Sequence, residues 1–356
     1  MTTDLKQIRQ KIDQLDTEIV KLLESRAEAV IEAMNVKNES GAPAYTPQRE
    51  AEILKRLDKA KQKLGHAALR GIYAEILSAC RALQGRQKVA LLGEKFGWVH
   101  DAALKQLGSA VDVQAFEHPR DVIKSLNQGH ANLGFFPLSG DLPDIRFLLE
   151  ELLAQNYHIV AETRVRRTFS LISRGATDIM KVSQILVTKE FFPLVRDWAQ
   201  SISFPVKIVI CRTVDEIVES LVDVSPIAGL IPAAVAKTID ANMLQEEIKA
   251  SEEWPYRCLT LRREPEQHIG KGQRAAVLFA LQNNVGSMGE LLDVLRAEKL
   301  QLYSIQTYFF GSKPWKDLFF MDFEAAVTAD EQTRILKKLE SKTLFLKNLG
   351  VYSVTE

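Results

Sequence analysis

The sequence predicts a three-part chain: an all-α unit, then an α/β unit, then a small α+β unit. Three observations carry that prediction. Residues 5 to about 38 contain neither proline nor glycine and step through apolar positions at helical spacing. After Gly85 the texture changes to short apolar strands separated by helix-like stretches. Beyond a polar, glycine-bearing segment at 264–273 the order becomes strand, helix, two strands, helix, strand. At 356 residues, two or three domains are the default for such a chain. The expected boundaries are 1–86, 87–263 and 274–356.

The first helix carries Leu5, Ile8, Ile12, Leu15, Ile19 and Leu22 as a heptad seam. Continuing that register places Arg26 where another leucine is expected. A buried guanidinium needs an anion, either a structural glutamate such as Glu50 or Glu75, or a ligand. Lys37 lies eleven residues on, about three turns, and returns to the same face some 16 Å away. Two cations so placed can grip a small dianion. Arg9 is about 25 Å back along the axis, so it joins the same ligand only from a partner chain, which would make this helix a dimerisation element.

The segment at 39–46, ESGAPAYT, breaks the helix, and Thr46-Pro47 opens a second one expected to run to about Lys63. Its first turn holds Arg49 and Glu50. After Gly65 a third helix covers about Ala67–Gln84, with Cys80 and Gln84 on one face. The strands that follow are KVALLG (88–93), VDVQAF (111–116), ANLGFFPL (131–138), SQILVT (183–188), VKIVIC (206–211) and AGLIPA (228–233). Alternation with helices predicts largely parallel sheets. The last unit reads RAAVLFAL, SMGELLDVLRAEK, LQLYSIQTYFF, DLFFMDFEA, DEQTRILKKLESKT and GVYSV. The aromatic cluster Tyr308, Phe309, Phe310, Phe319 and Phe320 is read as sheet core.

Composition narrows the function classes. Lysine plus arginine equals aspartate plus glutamate at 46 each, so no basic excess points to nucleic acid. No run of about 18 apolar residues exists, so no membrane span is expected. Cys80, Cys211 and Cys258 are widely spaced, which fits neither a disulfide framework nor a zinc site. A polar N-terminus and these cysteines point to the cytoplasm.

The segment IRQKIDQLDTEIVKLLESRAEAV, then Lys37, then Tyr45-x-Pro47-x-Arg49-Glu50, then EILSACRALQ resembles the all-helical chorismate mutase family over residues 1–85. The resemblance implies that Arg9 of the other subunit, Arg26 and Lys37 bind the carboxylates and ether oxygen. It also assigns Arg49 and Glu50 to the site, with Glu50 on the substrate hydroxyl and Gln84 on the ether oxygen. Thr46 and Cys80 stand where an acidic residue and a serine are common. The implied reaction is the unimolecular rearrangement of chorismate to prephenate. It needs no cofactor or metal, only fixed cations and an amide donor in a dry pocket.

The remainder resembles the prephenate dehydratase arrangement with an ACT regulatory domain, at Gly93, His100-Asp101-Ala102-Ala103, Pro137, Thr213 and Arg257. The fold this implies is a periplasmic-binding-protein-like dehydratase domain followed by an ACT-like βαββαβ domain. The motifs depart from the family. GPxGTFS reads Gly93-Glu94-Lys95-Phe96-Gly97-Trp98-Val99, and PIENS reads Pro137-Leu138-Ser139-Gly140-Asp141. The threonine–arginine–phenylalanine motif reads Tyr256-Arg257-Cys258, so the cleft residues expected here are Thr213, Tyr256 and Arg257. Phe96, Trp98 and Tyr256 would fill the cleft. The phenylalanine-binding GAL and ESRP motifs read Gly286-Ser287-Met288 and Gln306-Thr307-Tyr308-Phe309.

The expectation is therefore a chorismate mutase fused to a dehydratase-like domain that is inactive or changed in function. The alternatives are a fully bifunctional enzyme making phenylpyruvate and a non-catalytic aromatic amino-acid sensor or partner-binding regulator. An aromatic amino-acid effector, and a homodimer through the N-terminal helices or a tetramer of such dimers, complete the expected partners.

Overall fold

The structure is a computed structural model that describes residues 5–40, 45–57, 63–95, 97–138, 145–223, 225–251, 256–265, 269–310 and 317–355. Three helices come first: α1 (Leu5–Ser40), α2 (Pro47–Leu57) and α3 (His66–Ala82). With no helix breaker in its span, α1 runs 36 residues, about 54 Å. Residues 58–62, where the second helix is expected to continue, lie outside the described residues. Helix α3 packs on α1, on α2 and on the unit that follows.

That unit contains β1 (Gln87–Leu92), α4 (Trp98–Leu107), β2 (Val111–Phe116), α5 (Pro119–Asn127), β3 (Leu133–Pro137) and α6 (Ile145–Ala154). Then β4 (His158–Val165) crosses to β5 (Thr168–Ser173) in a second sheet. The second sheet continues with β6 (Gln184–Thr188), α7 (Arg196–Ser201), β7 (Lys207–Cys211), α8 (Val214–Ser220), β8 (Ile227–Pro232), α9 (Ala233–Ala236) and β9 (Asn242–Lys249). The chain returns through β10 (Tyr256–Arg262). Strands β1, β2 and β3 are parallel, as are β6, β7 and β8. However, β10 runs antiparallel to both β3 and β4, and β5 antiparallel to β8 and β9. The sheets are thus more mixed than strand–helix alternation predicts, because the crossing strands enter each sheet against its grain.

The C-terminal unit has β11 (Arg274–Ala280), α10 (Ser287–Ala297), β12 (Leu302–Phe309), β13 (Asp317–Glu324), α11 (Ala329–Glu340) and β14 (Phe345–Thr355). This is the expected βαββαβ order. Strand β14 reaches past its own sheet and pairs in parallel with β4, which yields one nine-stranded sheet in the order β12-β13-β11-β14-β4-β10-β3-β1-β2. One core follows: Leu278, Leu318, Phe320 and Tyr352 pack in the same cluster as Val122, Leu149 and Tyr157. Of the predicted aromatic core, Phe310 and Phe320 are buried and Phe319 stacks on Phe279, but Phe309 is exposed.

The helical unit docks closely on the first sheet. At Gly108, which ends α4 with φ +71°, a Cβ would come within 2.5 Å of the Ser78 Cβ on α3. Only glycine satisfies both the backbone and the contact there.

Candidate functional site

On α1 the seam residues Leu5, Ile8, Ile12, Leu15, Ile19 and Leu22 are between 44% and 71% exposed. In the same register Arg26 is partly buried, and its Nη1 is buried without a hydrogen-bond partner. Both carboxylates that sequence reasoning offers it are engaged elsewhere. Glu50 pairs with Arg81 of α3. Glu75 accepts from the Ser109 amide at 3.2 Å and from its hydroxyl at 2.5 Å. A buried N–H with no acceptor is costly.

The other expected residues are placed as follows. Arg9 is exposed on α1, far from Arg26 along the axis. Lys37 is in α1, but its side chain lies outside the described residues. Arg49 is exposed and reaches Glu52 at 3.4 Å, while Thr46 precedes α2 and its carbonyl accepts from the Glu50 amide at 3.3 Å. Cys80 is a buried free thiol beside Arg81. Gln84 follows the end of α3 and lines a cavity against the first sheet. A single chain therefore joins α2 to α3 through Glu50, while Arg9 lies far from Arg26 along α1.

Two residues that sequence reasoning did not single out for a role weld the units together. The Arg81 guanidinium donates to Glu50 and to the Leu107 carbonyl, and lies 5.3 Å from the Tyr45 ring centroid. Tyr45 is buried in the core around α4, where its oxygen accepts from Gln106 Nε2 at 2.7 Å. Burial, chiefly, with the nearby Glu50 charge, holds its hydroxyl well above the usual phenol range. Gln106 in turn accepts from the buried Thr163 and Thr260 hydroxyls, each at 2.7 Å.

A second constellation lies between the two sheets, where β1 and β6 end. The Trp98 and Tyr256 rings meet at 4.9 Å between centroids. Over them sits Arg167, a buried residue at the β4–β5 crossing, 4.8 Å from Tyr256, 5.7 Å from Phe191 and 5.8 Å from Trp98. Its Nη2 donates to Glu190 at 2.8 Å, and its Nε is buried without a partner. Burial pushes the Asp101 carboxyl up to about 6 against the opposing pull of Arg167. Glu94 is also raised, by burial first and then by Glu190, Asp215 and Glu117. The described residues thus set the carboxylates of Glu94, Asp101 and Glu190 near the Arg167 guanidinium.

The expected cleft residues divide. Tyr256 packs against Trp98 and Arg167. Arg257 turns the other way, donating to Glu162 at 2.7 Å, to Asp322 and to the Ser304 hydroxyl at 3.1 Å. Burial opposes its charge, but Glu162 and Asp322 outweigh that and hold it above its ordinary range. It therefore ties β10 to the C-terminal unit. Thr213 caps α8, accepting from the Glu216 amide at 3.2 Å. Phe96 and Ser139-Gly140-Asp141 lie outside the described residues. The signal for Arg167 was Arg166-Arg167 between apolar strand residues, an awkward place for a second cation unless it has a task. Among the described residues no cluster of three or more His, Cys, Asp or Glu could hold a metal ion. No helix among them is long and apolar enough to cross a membrane.

Comparison with known proteins gives the family. Residues 8–85 match the type II chorismate mutase model, and residues 89–266 match the prephenate dehydratase model. The bifunctional chorismate mutase/prephenate dehydratase of Aquifex aeolicus is 26% identical over 355 residues, covering 98% of each chain. The prephenate dehydratase of Arthrobacter aurescens, solved with L-Phe, superposes with a TM-score of 0.63 at 18% identity, covering 75% of this chain and 89% of its own. A quorum-quenching acylase, GqqA, superposes with a TM-score of 0.64 at 19% identity over 76% of this chain and 98% of its own. These two likenesses establish the fold alone.

Proposed function

Since the chain belongs to the family that joins a chorismate mutase to a prephenate dehydratase, we propose that its helical unit rearranges chorismate to prephenate in a pocket shared by two copies. The observation that carries this reading is Arg26: a core-register guanidinium with a buried, unpartnered N–H beside an exposed apolar seam. A second copy laid along that seam would cover the leucines and isoleucines and supply Arg9. In this reading Arg26, Lys37 and the partner's Arg9 hold the substrate's two carboxylates and the ether oxygen. Arg49 completes the cationic wall, and Thr46 and Cys80 line it. Gln84 donates to the ether oxygen as negative charge grows there. Glu50 accepts the substrate hydroxyl while keeping its pair with Arg81, since a carboxylate offers about four acceptor positions. No bond to the protein forms. The rate gain comes from holding the folded conformer and from donors fixed before the reaction begins.

The domains in this reading are 1–86, 87–263 and 274–356. The test is chorismate depletion by the full chain beside Arg26→Ala and Lys37→Ala. Loss of one such donor costs about 3–4 kcal/mol of barrier, a few hundredfold in rate. Wild-type turnover in either variant, with the fold intact, would sink the assignment.

For the second domain the same reading is a dehydratase-like cleft with its reaction lost or changed. The support is the Trp98–Tyr256–Arg167 stack standing where small polar groups would orient prephenate, and the carboxylates around it. Phenylpyruvate formation from prephenate decides between this and full bifunctionality: a robust signal would make the chain a two-step enzyme. The C-terminal unit is taken as an ACT-like module, with an aromatic amino acid as candidate effector and tetramer formation as its assembly role.

A further inference from the structure

A cavity of about 690 Å³ opens where the helical unit meets the first sheet. It sits at the start of the parallel strands: Gln87 opens β1, Leu133 opens β3, and the antiparallel β10 ends there at Arg262. The Trp98–Tyr256 wall stands at the other end of these strands, so this cavity is separate from the dehydratase-like cleft. It is also within the size range of small-ligand sites.

The charge of its lining is distinctive. Arg86 precedes β1 and Arg263 follows β10, and β3 runs between those two strands. At about 4.8 Å between neighbouring strands, the two backbones leave the same sheet end about 10 Å apart. Arg263 is steadied by a 2.5 Å bond from Nη2 to the Asn127 Oδ1, and Arg86 is exposed at the mouth. The buried Arg262, next to Arg263 in the chain, donates to the carbonyls of Tyr45 at 2.9 Å and Glu264 at 3.0 Å. Three arginines against the single carboxylate of Glu264 give the lining a formal charge of +2. Guanidinium forks pair with carboxylates two bonds at a time.

We propose that this cavity is an effector site for a small organic dianion bearing two carboxylates, bridged between Arg86 and Arg263. The ligand class follows from charge, spacing and volume; that its source is the rearrangement product rests on the mutase reading. Gln84 lines the same cavity, two residues before Arg86 across Gly85, which holds φ +102°. A dianion gripped by Arg86 orders that turn and thereby bears on the amide that the mutase pocket uses.

The experiment is backbone hydrogen exchange of the full chain with millimolar prephenate or succinate, beside the Arg86→Gln/Arg263→Gln double variant. The expected result is several-fold slower exchange over 126–133 and 262–264, weakened by added salt and absent in the double variant. Because Arg86 is exposed and outside any strand, Arg86→Gln alone supplies a folded control with partial loss. Slowing by both dianions points to a general dicarboxylate effector, and slowing by prephenate alone to the product. If neither dianion slows these segments, or the slowing persists in the double variant, the proposal is overturned. Chorismate turnover on the same sample fails separately if it is the mutase reading that is wrong.

Discussion

In the proposed dimer, replacing Ile12 with glutamate should yield an inactive monomer. Ile12 is half exposed in the single chain, at the centre of the six-residue seam. Fully burying such a side chain is worth about 1.5–3 kcal/mol, so covering the exposed half gains about 1 kcal/mol. Six residues on each of two chains then offer about 12 kcal/mol of gross burial, comparable to the roughly 4–15 kcal/mol that association costs. The margin is narrow, which makes the seam sensitive. A glutamate there loses about 1 kcal/mol of burial and adds about 2 kcal/mol for an unpaired polar group, twice over by symmetry. The total, about 6 kcal/mol, weakens the dimer by about four orders of magnitude. Sedimentation or light scattering at micromolar concentration, with chorismate turnover on the same fractions, reads both consequences. A variant that stays dimeric, or a monomer that turns over like the parent, would refute the reasoning.

Other consequences follow from buried charges. Asp101 keeps its proton to about 6 when folded, chiefly through burial, against 3.8 for the free side chain. The folded chain therefore holds the extra proton between those values, and stability falls as pH rises from about 4 to about 6. Asp101→Asn should flatten that slope and raise stability at neutral pH by on the order of 3 kcal/mol in urea melts; an unchanged slope would contradict the cause. Arg81→Met should cost about 3–5 kcal/mol by stranding Glu50, with Glu50→Gln recovering part of it in a double-variant cycle. Strict additivity of the two would count against a shared ion pair.

The helical unit was the most legible part of the sequence, since heptad spacing and the absence of breakers fix α1 and put Arg26 out of place. The βαββαβ order was equally plain. Strands β4, β5, β9 and β10 were not anticipated. Strand β4 buries Glu162 and Thr163 among apolar neighbours, and β9 reads Gln245-Glu246-Glu247 on an exposed edge, so neither shows a clean apolar run. Their partners also lie far away in sequence, as when β14 pairs with β4. The same distance hid the site's supports. Nothing local says that Glu50 meets Arg81, that Tyr45 anchors beside Gln106, or that Arg257 serves Asp322 rather than the cleft. Arg167 left a trace as a charge amid apolar strands, but the three rings around it converge only in the fold.

Mixing Arg9→Ala and Arg26→Ala proteins tests the shared pocket most directly. Each is expected to be nearly inactive alone. After subunit exchange, half the dimers are mixed and carry one pocket with both arginines, so about one quarter of the parent chorismate turnover should return. If the mixture stays as inactive as its parts while exchange is shown to occur, the pocket is not built from two chains.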